Sequence, residues 1–241
     1  MMPSLSASQD LSQEATPKRG ERTGEAPIGL RERKKRMLRQ QLSDTATRLF
    51  IDYGFDAVRV ADIAEECGVS EATVFNYFQT KEALVLDRLE TTVVSLPAGL
   101  SASGLGPIEA ALRLLAEELR SITDVLSSQD DPRIAATAVL RFGDLIRATA
   151  SLRAYMSDMM DQCVSVAASL LADRAGLSPE DPEPQIAARA LLGLWHVQAE
   201  SLRKHLRGKD LDRIQQDVTE DVRRAAHLIA TGLHSFGASP L

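Results

Sequence analysis

No apolar run in this 241-residue chain reaches the eighteen or so residues that a membrane-spanning helix needs. The first thirty residues lack a basic segment followed by an apolar one, so no secretory signal is read there. Cysteine is scarce: Cys67 and Cys163 cannot build a disulfide framework and lack metal-ligand spacing. His196, His205, His227 and His234 are scattered and make no metal motif. A nucleophile elbow and a phosphate-cradling glycine-rich loop are both missing. Strand-like alternation is absent, and no internal repeat stands out. These absences leave an all-α, cytoplasmic protein as the expectation, with no catalytic residues, no metal and no cofactor.

A positive net charge is also lacking, at -6 overall. Spread evenly, that charge would argue against a nucleic-acid partner. It is not spread evenly. Arg31, Arg33, Lys34, Lys35, Arg36 and Arg39 crowd into nine positions with only Glu32 against them. DNA touches one patch of a protein, so a basic arm on an acidic body suits a reader that must not coat DNA indiscriminately.

Residues 1–30 are rich in Ser, Glu, Gly, Pro and Thr without an apolar period, which predicts a disordered extension. Lys18, Arg19 and Arg22 add at most weak phosphate attraction there. A helix is predicted over 33–53, with Leu38, Leu42, Ala46, Leu49 and Phe50 on one face and Gly54 as its left-handed cap. Two helical turns follow at 60–67. Gly68 breaks them, and Ser70 is an N-cap for a third helix beginning at Glu71. Thr80 caps a fourth, from Lys81 to about Ser95, with Leu84, Val85, Leu89 and Val93 inward. Pro97 and residues 99–106 read as a linker. Five further helices are expected at about 107–128, 131–149, 151–175, 184–207 and 210–235. Pro107 and Pro132 sit in first turns, and Gly176 and Gly208 mark stops. The three prolines between Ser178 and Pro184 predict a loop. The expected organisation is an extension over 1–30, a smaller helical domain over 31–96, and a larger helical domain over 97–241.

The segment Arg59 to Phe78 carries the functional signal. Two short helices joined by a tight turn describe a helix-turn-helix unit, here at about 59–78. Ala64 is small where the helices cross closely. Gly68 supplies the positive φ of the turn. Ile63, Val69 and Val74 form the apolar knot between the helices. The opposite face of the third helix, with Ser70, Glu71, Thr73, Asn76 and Tyr77, is then free to enter a major groove. Asn76 suits a bidentate bond to adenine, the hydroxyls suit phosphates or base edges, and Tyr77 suits a thymine methyl or a phosphate. Lys81, at the start of the next helix, suits a phosphate. Spacing alone also allows a helical hairpin whose polar residues are merely solvated.

The run Gly54-Phe55, Val60 and Asp62 to Ser70, and Thr73 to Leu84, ending in Tyr77-Phe78-x-x-Lys81-Glu82-x-Leu84, resembles the TetR family of bacterial regulators over about residues 33–93. The resemblance implies a homodimer on a palindromic DNA operator, usually a repressor that lets go when a small-molecule effector binds the C-terminal domain; it makes 31–96 the DNA-binding domain and 97–241 the ligand-binding and dimerisation domain. It places Ser70, Glu71, Ala72 and Thr73 at the base-facing start of the recognition helix. It places Asn76, Tyr77 and Lys81 on base or phosphate contacts. Two positions depart from the family pattern. Phe75 stands where a tyrosine is common, so a hydroxyl contact is lost. Arg59 stands where a capping Thr is usual; it cannot accept the cap bond, but its cation could reach a phosphate.

In the larger domain, Phe142, Tyr155, Met156, Met159, Met160 and Trp195 are large, adaptable side chains that suit a pocket wall, and equally a plain core. His196 reads either as a pocket residue or as a satisfied core histidine. Arg141, Arg147 and Arg153 read first as salt-bridge partners and second as holders of an anionic head group. The stretches 145–156 and 187–193 are similar, more loosely, to a subgroup associated with acyl-CoA-like ligands, which implies an acyl chain or acyl-CoA effector. By resemblance the last two helices form the dimer face. Leu191, Leu194, Leu202, Val218, Val222, Ala225, Ile229 and Leu233 line them, though a monomer could use the same stripes as core. Other readings are a transcriptional activator, a helical protein-interaction module without DNA binding, and an enzyme. The last is weak, because Asp130-Asp131 and residues 181–183 look like helix starts.

Overall fold

A computed structural model of the chain describes residues 29–87, 99–100, 104–208 and 213–232. The chain divides into two compact units, residues 1–37 and 38–241. In the first, Leu30–Met37 form the opening turns of a helix, with the Arg33 N–H donating to the Gly29 carbonyl (3.0 Å) and every side chain exposed. The tail expected over 1–30, with Lys18, Arg19 and Arg22, lies otherwise outside the described residues.

The described structure is helical, without strands. Helix α1 spans Leu30–Tyr53, α2 Val60–Glu66 and α3 Glu71–Tyr77. Residues 81–87 form α4 as far as it is described; its expected continuation, with Leu89 and Val93, lies beyond. Then come α5 (Pro107–Ser127), α6 (Pro132–Ala148), α7 (Ala150–Ala175), α8 (Pro182–Arg207) and α9 (Ile214–Thr231). Their ends follow local chemistry. Pro107 and Pro132 sit in first turns, where the missing N–H has no intrahelical partner to lose. Asp131 caps α6 by accepting from the Arg133 N–H at 2.9 Å. Gly54, at φ +89°, closes α1.

Two sequence expectations change. The loop read over 178–184 ends at Asp181, because Pro182 and Pro184 occupy the first turn of α8 and Pro184 is buried. A proline there costs no hydrogen bond, so a proline-rich stretch can be the start of a helix. Within the expected linker, residues 99–100 are helical; Leu100 is buried and its carbonyl accepts from Arg174 (2.6 Å). Pro97 and residues 101–103 lie outside the described residues.

Two apolar cores run through the second unit. One joins Leu42, Ala46, Phe50, Ile63, Val74, Phe78 and residues 83–86 of α1 to α4, and it also takes in Leu152 of α7. Phe142, Ile146 and Met156, at the α6–α7 corner, pack against it. The other is built from α5 to α9, with α8 packed on α7 and α9. Leu191, Leu194, Leu202, Val218 and Val222 are buried here within one chain, and Ala225 and Ile229 pack against them. Within the chain these stripes serve as core, the alternative that the sequence pattern left open. Leu233 lies outside the described residues.

Candidate nucleic-acid interface and adjoining cavities

Helices α2 and α3 are each seven residues long and joined by a turn at Cys67–Val69. Gly68 has φ +67°, a conformation that costs a side-chain-bearing residue about 1–2 kcal/mol. The Val69 N–H donates to the Ala64 carbonyl at 3.0 Å. Ile63, Ala64 and Val74 are buried between the helices, as their spacing predicts. Ser70 caps α3, its oxygen accepting from the Thr73 N–H at 3.1 Å, and the Ser70 and Thr73 hydroxyls are 2.8 Å apart.

The outward face of α3 carries exposed Ser70, Glu71, Ala72, Phe75 and Asn76, with Thr73 and Tyr77 half-buried. The Phe75 ring is 48% exposed. Its place one residue after buried Val74 turns it about 100° away from that core side chain. Such a ring offers apolar contact to a thymine methyl.

Three cationic side chains have partners within the fold. Arg59 is exposed and pairs with Asp62 at 2.8 Å. Arg59 cannot cap α2, but Asp62 does part of that work by accepting from the Arg59 backbone N–H at 2.8 Å. The Arg59 guanidinium, and then that N–H, hold the Asp62 carboxyl below its ordinary range. Lys81 donates to the Phe55 carbonyl, and its ammonium lies 4.4 Å from the centre of the Phe55 ring and 5.3 Å from that of Phe50. Burial pushes its pKa down. Arg39, counted from sequence in the basic arm, bonds the Asp87 carboxylate and the Tyr77 carbonyl, each at 2.7 Å, and lies 4.5 Å from the Phe78 ring centre. It ties α1 and α4 to the end of α3. The signal was its register, three residues ahead of buried Leu42 and seven ahead of buried Ala46.

Two cavities open in the helical body. The smaller, about 740 Å³, lies among α5 to α8 and is lined by Phe142, Met156, Met159, Met160, Trp195 and His196 among others. Five of the six expected ligand residues therefore share one cavity. The sixth, Tyr155, packs instead against the core of α1 to α4. His196 is exposed, so it is not a core histidine. Arg147, Arg153, Arg189 and Arg203 also reach this wall. Arg147 pairs with Asp144 and, at 3.5 Å, with Glu200. The larger cavity, about 820 Å³, is walled by α1, α4, α5, α6 and α8. Glu118 borders both cavities, is half-buried, and accepts from the Trp195 indole N–H at 3.0 Å. The sequence reading missed it, although it interrupts the apolar register Leu114, Glu118, Ile122. Among the described residues no cluster of His, Cys, Asp and Glu could hold a metal, and no helix is long and apolar enough to cross a membrane.

The family model for bacterial regulatory proteins of the tetR family matches residues 42–87, and that for the MftR C-terminal domain matches residues 125–234. MftR of Mycobacterium tuberculosis, which carries the name of a mycofactocin biosynthesis transcriptional regulator, is 30% identical over 154 residues, 64% of this chain and 73% of that protein. The HTH-type transcriptional regulator TcmR of Streptomyces glaucescens is 26% identical over 153 residues, 64% of this chain and 67% of its own. Among solved structures, native NalD of Pseudomonas aeruginosa, the secondary repressor of the MexAB-OprM multidrug efflux pump, is 23% identical. That match covers 79% of this chain and 96% of NalD, with a TM-score of 0.47.

Proposed function

The chain belongs to the TetR family of bacterial regulatory proteins, and on that premise we propose that it is a ligand-released repressor acting as a homodimer on a palindromic operator. Regulators of this family bind DNA operators as dimers and respond to small-molecule effectors. The observation that carries the reading here is the α2–α3 unit, whose inner face is closed by Ile63, Ala64 and Val74 while its outer face stays exposed. Base readout is assigned to Glu71, Ala72, Thr73 and Asn76, with Phe75 added. Phosphate contact is assigned to Ser70, to the Tyr77 hydroxyl, and to Arg59 once it exchanges Asp62 for a phosphate. Lys81 supports this face by holding the Phe55 carbonyl against α4. The DNA-binding part comprises 31–96 and the effector part 97–241, with pairing through the outward faces of α8 and α9, where Ile186 is exposed.

The effector reading rests on the smaller cavity. Its thioethers repack around an apolar body, and its four arginines match a carboxylate or phosphate. An acyl chain with an anionic head, an acyl-CoA among them, has that chemistry. Phe142, Ile146 and Met156 line this cavity and also pack against the core of α1 to α4. An occupant that displaces them therefore presses on the helices that carry α3, which gives binding and release a shared element. Footprinting on DNA flanking the gene, over a range of salt, tests the regulator reading. A protected near-palindrome that fades as salt rises supports it. No salt-dependent affinity for any duplex in random-sequence selection would reduce the chain to an interaction module.

A further inference from the structure

Two cavities of opposite charge meet at one wall, made by Glu118, Ile122, Val139, Phe142 and Trp195. The smaller sets four arginines against Glu118 and Asp161. The larger is lined by Asp44, Asp52, Glu117 and Glu118 with Arg48 and Arg141, and Glu117 also pairs with Arg113 at 3.9 Å. Both lining arginines are engaged: Arg48 pairs with Glu66, and Arg141 bonds the Asp52 carboxylate at 3.3 Å and the Ile51 carbonyl at 2.9 Å. Glu118 has a neutral donor, the Trp195 indole. Its burial raises the carboxyl above its ordinary range, and among the described residues no cationic side chain offsets this. A carboxylate half withdrawn from water without a cation is costly, and an apolar residue would close this wall more cheaply. A ligand carrying positive charge supplies the missing pair. The aromatic faces of Trp195 and Phe142 in the same wall favour such a group too.

We infer that the larger cavity is a second ligand site, which takes a lipophilic cation: an apolar body carrying a protonated or quaternary nitrogen, held by the Glu118 carboxylate and the Trp195 ring. The apolar part lies against Ile51, Val85, Leu114 and Ile122. Ile51 belongs to α1 and Val85 to α4, so this ligand touches the helices of the DNA-binding part directly. The site goes beyond the anionic effector proposed for the smaller cavity and does not depend on it.

Trp195 is the only tryptophan of the chain, so its emission reports on this wall without interference. The full chain is titrated with dodecyltrimethylammonium, dodecyl sulfate and dodecanol, which share a tail and differ in head charge, all below micelle formation. The cation is expected to saturate the Trp195 signal. Glu118→Gln, which keeps an acceptor for the indole, should weaken it about tenfold or more by removing the charge pair. Ala138→Phe should weaken it as well, because exposed Ala138 lines the larger cavity alone. Gly193→Phe narrows only the smaller cavity and should leave the cation response intact; a Cβ at Gly193 meets nothing within 4 Å. Circular dichroism verifies folding, and Ala138→Phe carries the test if Glu118→Gln unfolds. An absent or non-saturable cation response overturns the inference. So does equal affinity in folded Glu118→Gln, or dodecanol binding as tightly as the cation, which would make Glu118 a neutral hydrogen-bond donor. Dodecyl sulfate reports separately on the smaller cavity: its failure with the cation still bound counts against the anionic effector alone.

Discussion

Asn76 offers a donor and an acceptor from one exposed amide on α3, the pair that matches adenine N6 and N7. Asn76→Ala is expected to relax preference at one operator position and to cost about 1–3 kcal/mol there; competition binding with single-base operator variants measures it. Unchanged specificity would remove Asn76 from the readout. Lys81 is different because its ammonium already serves the Phe55 carbonyl and two rings. Lys81→Ala should therefore lower the melting temperature while changing the slope of log affinity against log salt by less than the roughly one unit that a lost phosphate contact brings. A full unit of slope with unchanged melting would return Lys81 to the phosphates. Asp221 shows what neighbours do to one carboxyl. The Ser201 hydroxyl, at 2.7 Å, lowers its pKa most, burial opposes, and His205, Lys204 and Arg224 add to the lowering, which brings it to about 2 from 3.8. The folded value lies below the unfolded one, so this contribution is complete above pH 4 and is lost as pH falls from there to about 2. Denaturant melts between pH 5 and 2 should show the advantage of the native protein over Asp221→Asn shrinking by roughly 2 kcal/mol across that window.

At the scale of elements, a helix face is apolar because something covers it, and α8 and α9 show that the cover can be the same chain. Leu191 is 3% exposed without any partner subunit. Leu191→Asp is therefore expected to unfold the chain rather than yield a folded monomer, since even truncation of a buried leucine costs about 2–5 kcal/mol. Melts at several protein concentrations separate the two. A loss independent of concentration fits the intrachain core, and a folded, dissociated variant would restore Leu191 to the interface. The helix boundaries were readable in the sequence because caps act over three or four residues, as Ser70 with Thr73 and Thr80 with Ala83 do. The start of α8 was misjudged because proline both breaks helices and opens them, and only position within the helix distinguishes the two.

Across the whole molecule, the α6–α7 corner belongs by sequence to the effector part yet packs its Leu152 into the core of α1 to α4. On the proposed function, these contiguous side chains are the link between effector binding at one end and DNA reading at the other. Gly193→Phe, which fills the smaller cavity, is expected to keep operator affinity and to abolish release by an anionic amphipath. Operator titration with and without dodecanoyl-CoA measures both. Release that survives the substitution would place the effector elsewhere.

The sequence by itself determined most of the helices and their ends, and the helix-turn-helix unit. Each depends on residues within a turn or two of one another: Ala64 at the crossing, Gly68 in the turn, Ser70 at the cap. Five of the six ligand residues expected from the sequence share the smaller cavity, because large, adaptable side chains are visible by type. Tertiary structure alone decided the rest. Glu118 meets Trp195 across 77 positions, Arg39 meets Asp87 across 48, and Lys81 meets Phe55 across 26. Which partner a charged side chain finds, and which face of α8 is covered, follows from how helices remote in sequence cross. Periodicity says only that a face is apolar, not what lies against it.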